Sequence, residues 1–242
     1  MSVVNILLFI VLPYISLAIF LIGSIYKYNK LMYKYSSLSS QFVEGDTLFW
    51  GIIPFHWGMV ILFAGHLIAF LIPSTLLAWN SDPVRLLILE GSGIIFALNV
   101  LGGLILLFAR RLINTRVFAI TNRMDILLYI ILITQVILGI WVAVYFRWGS
   151  SWFASVLTPY LWSLITFTPS INSIIELPMI IQLHILGFYF ILLLFPFTRL
   201  VHMLVAPFHY IPRKYQQVMW TWDSKTVRSK DNTWTEQRPY NN

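Results

Sequence analysis

The chain has no cysteine among its 242 residues. That excludes a disulfide framework, a cysteine-ligated iron–sulfur cluster and a covalently attached c-type haem, which needs C-x-x-C-H. Charge is scarce as well. Only 10% of the residues are Asp, Glu, Lys or Arg, against about 25% in an ordinary soluble domain. So few charges cannot cover a water-facing surface. What is abundant instead is apolar surface: 59% of the residues are hydrophobic and the mean hydropathy is +0.79. The chain therefore reads as an integral membrane protein.

A helical span needs about 20 mostly apolar residues. Five stretches qualify: 6–26, 51–72, 86–108, 126–146 and 179–205. None alternates as a barrel strand does. The first lacks the basic start and small-residue cleavage site of a signal peptide, so it is expected to be retained. The predicted fold class is all-α, an integral membrane bundle of five transmembrane helices in the cell (cytoplasmic) membrane. Residues 1–206 form the membrane domain. Residues 207–242, which carry much of the charge, form a cytoplasmic tail expected to bind a partner.

The net charge of +7 sorts by loop and needs no nucleic-acid partner. Lys27, Lys30, Lys34, Arg110, Arg111, Arg116, Arg123, Arg199 and the basic residues of the tail share one side. Only Arg85 and Arg147 lie opposite. The positive-inside rule makes the basic side cytoplasmic, with the N-terminus outside and the C-terminus inside. The loop 147–178, rich in Trp, Phe and Pro, is expected to lie along the outer interface.

Four of the five histidines fall inside spans: His56 and His66 in the second, His184 and His202 in the fifth. A polar ring in a membrane span is expensive and usually functional. The two spans run antiparallel, so depth pairs His56 with His202 and His66 with His184. Each pair could supply both axial ligands of one b-type haem, giving two haems, one toward each face. His209 follows Pro207 and is expected to be interfacial. The spacing fits imperfectly. On straight helices His184 and His202 lie about 27 Å apart, whereas His56 and His66 lie about 15 Å apart. Crossing helices, tilted haems or a bend at Pro196 would absorb the difference. Gly58, Gly65 and Gly187 flank the histidines and either admit a flat porphyrin or serve helix packing. Asp125 and Glu176 lie near helix starts, where a carboxylate complements the macrodipole. Glu90 could accept protons near the outer face.

Several motifs carry a family resemblance. F-H-W-G-x-x-x-x-x-G-H spans 55–66, R-R-L 110–112, M-D-I-L 124–127, F-P-F-T-R-L-V-H 195–202 and Y-I-P-R-K-Y 210–215. L-P-Y-I at 12–15 and I-Y-K-Y at 25–28 open the pattern. Together they resemble the gamma subunit of respiratory nitrate reductase to about Tyr215, departing in the loop 147–178 and in the extended tail. The resemblance implies a di-haem cytochrome b that oxidises quinol near the outer haem. Electrons would pass to the inner haem, an iron–sulfur subunit and a molybdenum catalytic subunit that reduces nitrate. His66 and His184 match the outer-haem ligands, and His56 and His202 the inner-haem ligands. Gly65, His66 and Arg85 would border the quinol, while Arg110, Arg111 and Arg199 would pair with inner-haem propionates. Tyr28 and Ser39 could donate hydrogen bonds to the same groups.

Other readings remain at this stage. The same helices would serve a sulfite- or heterodisulfide-type complex, or nitrite oxidation in reverse. A transporter or proton channel could use four histidines, and a passive anchor needs none of them.

Overall fold

A computed structural model describes residues 2–31 and 46–204. Ser39, His209 and the tail 207–242 lie outside the described residues. Among those described, all regular structure is helical. Five helices are long and apolar enough to cross a membrane: α1 (Val3–Lys30), α2 (Asp46–Leu71), α3 (Pro83–Ile113), α4 (Arg123–Tyr145) and α5 (Met179–Leu194, extended by a 3-10 turn to Phe197). This bears out the five spans and the all-α class.

Local chemistry sets the helix ends. Asp82 caps α3, its side chain accepting from the backbone N–H groups of Val84 and Arg85, and Pro83 occupies the first turn. Asn122 and Asp125 form a reciprocal capping box at the start of α4. α5 stops being α-helical at Leu194, because Pro196 has no N–H to continue the ladder.

The helices pack in the order α2, α3, α4, α5, α1, each against the next. Glycine brings α2 and α3 together. A Cβ on Gly103 would lie 2.7 Å from the Gly51 carbonyl oxygen and 2.8 Å from the Phe55 nitrogen, and one on Gly58 would lie 2.6 Å from Val100. Gly58 is thus a packing residue. No such packing joins α2 to α5 among the described residues, although α2 carries His56 and His66 and α5 carries His184. α2 is also the least covered span, with 11% of its most apolar stretch buried.

The loop 147–178 is more ordered than its composition suggests. It holds helical turns at Gly149–Trp152, Phe153–Leu157, Thr158–Ile165 and Asn172–Ile175. Its docking follows from prolines elsewhere. Pro13 in α1 cannot donate to the carbonyl of Phe9, four residues back. A π turn at Leu7–Val11 precedes it, and the Tyr160 hydroxyl donates to the freed Phe9 oxygen at 2.8 Å. Pro73 likewise frees the Ala69 carbonyl, which accepts from Thr158 Oγ1 at 3.2 Å. Trp162 Nε1 donates to the neighbouring Phe70 oxygen at 3.2 Å. Tyr160, Thr158 and Phe9 are almost fully buried. Burial, with Tyr189 beside it, pushes the Tyr160 phenol far above its ordinary range, so it remains a donor.

Candidate haem and quinol sites

The arginine-bearing end of the bundle assembles the first histidine pair. His56 lies two residues beyond Pro54 in α2. His202 is not on α5. After the 3-10 turn Phe195–Phe197, Thr198 is fully extended (φ −118°, ψ 179°), and His202 sits in a second 3-10 segment, Arg199–Met203. This corrects the expectation of one helix from 179 to 205, so the straight-helix estimate of the His184–His202 separation does not apply. The 27 Å figure assumed a straight helix that ends at Leu194. The rings of His56 and His202 meet with centroids 6.1 Å apart and planes at 58°.

That separation suits a shared metal. Two metal–nitrogen bonds of about 2 Å, plus about 1.1 Å from each ring centre to its nitrogen, put ring centres about 6.2 Å apart. The hydrogen bonds agree. Nδ1 of His56 bonds the Ile52 carbonyl at 2.9 Å, and Nδ1 of His202 bonds the Arg199 carbonyl at 2.6 Å. A carbonyl only accepts, so each Nδ1 carries the proton and each Nε2 has a lone pair for a metal. Both histidines are exposed.

The second pair lies at the end bearing the segment 149–165. His66 is five residues from the end of α2, and His184 five residues from the start of α5. Nδ1 of His66 bonds the Leu62 carbonyl at 2.8 Å, repeating the pattern, and its ring meets the edge of Phe153 at 5.4 Å. His184 packs on α4. A Cβ on Gly139 would lie 3.0 Å from its Cε1, and its backbone oxygen accepts from Gln135 Nε2 at 2.9 Å. Its Nδ1 is buried with no partner, as is Gln135 Oε1. Among the described residues no three His, Cys, Asp or Glu side chains converge as a metal cage. Of the four histidines, His56 and His202 stand ring to ring.

The chain matches the family model described as nitrate reductase gamma subunit over residues 5–221. It is 34% identical to the respiratory nitrate reductase 2 gamma chain of Escherichia coli, covering 88% of this chain and 96% of that one. Identity with the nitrate reductase gamma chain of Bacillus subtilis is 30%, covering 85% and 93%. The nitrate reductase-like protein NarX of Mycobacterium tuberculosis is 29% identical over 85% of this chain, which corresponds to 32% of that longer protein. The chain belongs to the nitrate reductase gamma subunit family.

In this family member the remaining candidates divide. Gly65, beside His66, has nothing within 4 Å of a built Cβ and so borders open space. Gly187 does not, because Gln135 fills the room its Cβ would need. Arg85 is exposed, its guanidinium 5.2 Å above the Trp79 ring. Glu90 Oε1 accepts from both the backbone N–H and the hydroxyl of Ser150, at 2.8 and 2.6 Å.

Arg110 and Arg111 are buried at the end of α3. Arg111 donates to Thr121 Oγ1 at 3.1 Å and to Asp125 at 3.3 Å, and lies 5.6 Å from the Tyr129 ring centre. Arg199 grips the same Asp125 through Nε at 2.5 Å and a second nitrogen at 2.9 Å. Asp125 therefore does more than complement a helix dipole. Sequence reasoning missed this cluster because its members lie 14 and 74 positions apart.

Proposed function

We propose that this chain is the quinol-oxidising, di-haem cytochrome b subunit of a membrane-bound nitrate reductase complex. Family membership supports the complex. The observation that carries the rest is the His56–His202 ring pair at 6.1 Å, with Nδ1 of each ring tied to a carbonyl. His56 and His202 would hold the inner haem iron, and His66 and His184 the outer one. Bound there, the two b-type haems would supply one-electron transfer between the faces of the bilayer.

The protein's own residues do the positioning. Carbonyls of Ile52, Leu62 and Arg199 fix ring orientation at three of the four histidines. Gly65 leaves space beside His66 where a quinol headgroup fits, and Arg85 offers a cation near that end of α3. Arg110, Arg111 and Arg199 are the cations that would pair with inner-haem propionates.

The distribution of basic residues supports an orientation with the N-terminus outside and the C-terminus cytoplasmic. Quinol protons would then leave on the outer side. The cytoplasmic end, with the tail 207–242, would bind the iron–sulfur subunit and through it the molybdenum catalytic subunit. The cell membrane is the expected location.

A reduced-minus-oxidised spectrum of the purified complex tests the reading. Two b-type haems per chain are expected, both reduced by added quinol. In His66→Ala, haem content should fall to one per chain and quinol-driven reduction should stop. A wild-type chain with no b-type band, or with one haem, overturns it.

A further inference from the structure

Among the four described histidines, His202 has the least local support. His56, His66 and His184 stand on long α-helices, whose ladders fix the backbone beneath each ring. His202 stands on a five-residue 3-10 segment, hung from α5 through the extended Thr198. Such segments have poor hydrogen-bond geometry and rarely persist without tertiary anchors. Thr198 helps only modestly. Its hydroxyl donates to the Phe195 carbonyl at 3.2 Å and accepts from Leu200 N–H at 3.4 Å. Val201 is buried and Leu200 packs against the core of α3 and α4.

One anchor is charged and comes from a different helix. The Asp125 side chain is 3% exposed, and its two oxygens take both the Nε and a terminal nitrogen of Arg199. A bidentate pair fixes a guanidinium in plane and in direction. The backbone carbonyl of that same Arg199 accepts from Nδ1 of His202 at 2.6 Å. Asp125 is itself held. It belongs to the α4 capping box, bonding Asn122 N–H at 3.1 Å, and it accepts from Arg111 at 3.3 Å.

We propose that Asp125 is a positioning residue for His202. Its carboxylate locks Arg199, and Arg199 holds through its own carbonyl the ring that faces His56. The chain of contacts runs from the start of α4 to Nδ1 of His202, which leaves Nε2 free to face a metal. The carbonyls that hold His56 and His66 belong instead to Ile52 and Leu62, apolar residues of α2. The inner pair should thus be sensitive to a charge change that leaves the outer pair untouched. This inference rests on the proposed haem ligation.

The test uses the intact complex and three variants. Asp125→Asn keeps the size and the capping acceptor but removes the charge that orients Arg199. The haem held by His56 and His202 should lose affinity about tenfold, the lower range for loss of an outer-shell partner. Its low-spin resonance signal should shift, while the signal of the other haem stays in place. Asn122→Ala removes the cap and leaves the clamp, so it should lower stability without shifting the inner-haem signal. Arg199→Lys keeps the charge but not the bidentate grip, and should shift the inner signal in the same direction as Asp125→Asn. It also serves if Asp125→Asn fails to assemble. An unchanged inner signal in both clamp variants overturns the inference. So does an equal shift of both haems, or an Asn122→Ala shift as large as that of Asp125→Asn. A wild-type complex without two haems overturns the proposed function instead.

Discussion

Tyr160→Phe together with Pro13→Ala tests how the outer segment is held. Tyr160 is 1% exposed, and its hydroxyl is the donor for a carbonyl that Pro13 has left without one. The same hydroxyl accepts from Tyr189 at 3.2 Å. Phenylalanine keeps the ring but leaves the buried Phe9 oxygen unsatisfied, a cost of about 1–3 kcal/mol. In a chain of this length each kcal/mol moves Tm by about 2–4 °C, so Tyr160→Phe should lower it by about 2–12 °C. Pro13→Ala restores a backbone N–H four residues beyond Phe9. Its effect should depend on what occupies residue 160. In the wild type the oxygen is already satisfied; in Tyr160→Phe the new N–H replaces the missing hydroxyl. The double variant should therefore be more stable than the sum of the singles predicts, by at least about 0.5 kcal/mol. Unfolding followed by fluorescence of the 10 tryptophans reads this directly. Strictly additive effects would refute the idea that Tyr160 substitutes for the backbone donor that proline lacks.

Two further outcomes follow from the packing and the caps. Gly103→Ala places a methyl 2.7 Å from the Gly51 oxygen, so α2 must retreat by about 0.7 Å to reach ordinary contact. Overpacking of this kind costs about 1–3 kcal/mol, and Phe55 beside His56 moves with it; Gly65→Ala, in open space, should leave Tm unchanged. Asp82 accepts backbone N–H bonds from Arg85 and Val84, the Arg85 bond first, which holds its carboxyl below the ordinary carboxylate range. A depressed folded value means that its contribution is present above the unfolded value and is lost as the pH falls through the folded one. Tm should thus fall on acidification, and Asp82→Asn, which keeps a neutral cap, should flatten that part of the profile.

The spans and the meeting of His56 with His202 were legible in the sequence for one reason. In an apolar background a single polar ring is conspicuous, and antiparallel order converts position along the chain into depth. The Pro196 break was visible as a possibility, but its extent was not. Whether chain beyond a proline resumes as α-helix depends on what it packs against, here Asp125 on another helix. The helices inside 147–178 were hidden for a related reason. Their apolar and aromatic residues have no clean period, and their order comes from carbonyls on α1 and α2 that only the folded chain brings close.

The two ends of the bundle are held by different chemistry. At the end near His66, neutral hydroxyl and indole donors occupy carbonyls of Phe9, Ala69 and Phe70, two of them freed by proline. At the end near His202, two arginines share one carboxylate. Neutral bonds lose nothing to desolvation of a charge, whereas a buried ion cluster keeps its strength only while every partner is present. Between the ends, α2 is pressed against α3 by Gly51, Gly58 and Gly103, and among the described residues little else covers it. That asymmetry is what lets His56 and His66 face open space from an otherwise apolar helix.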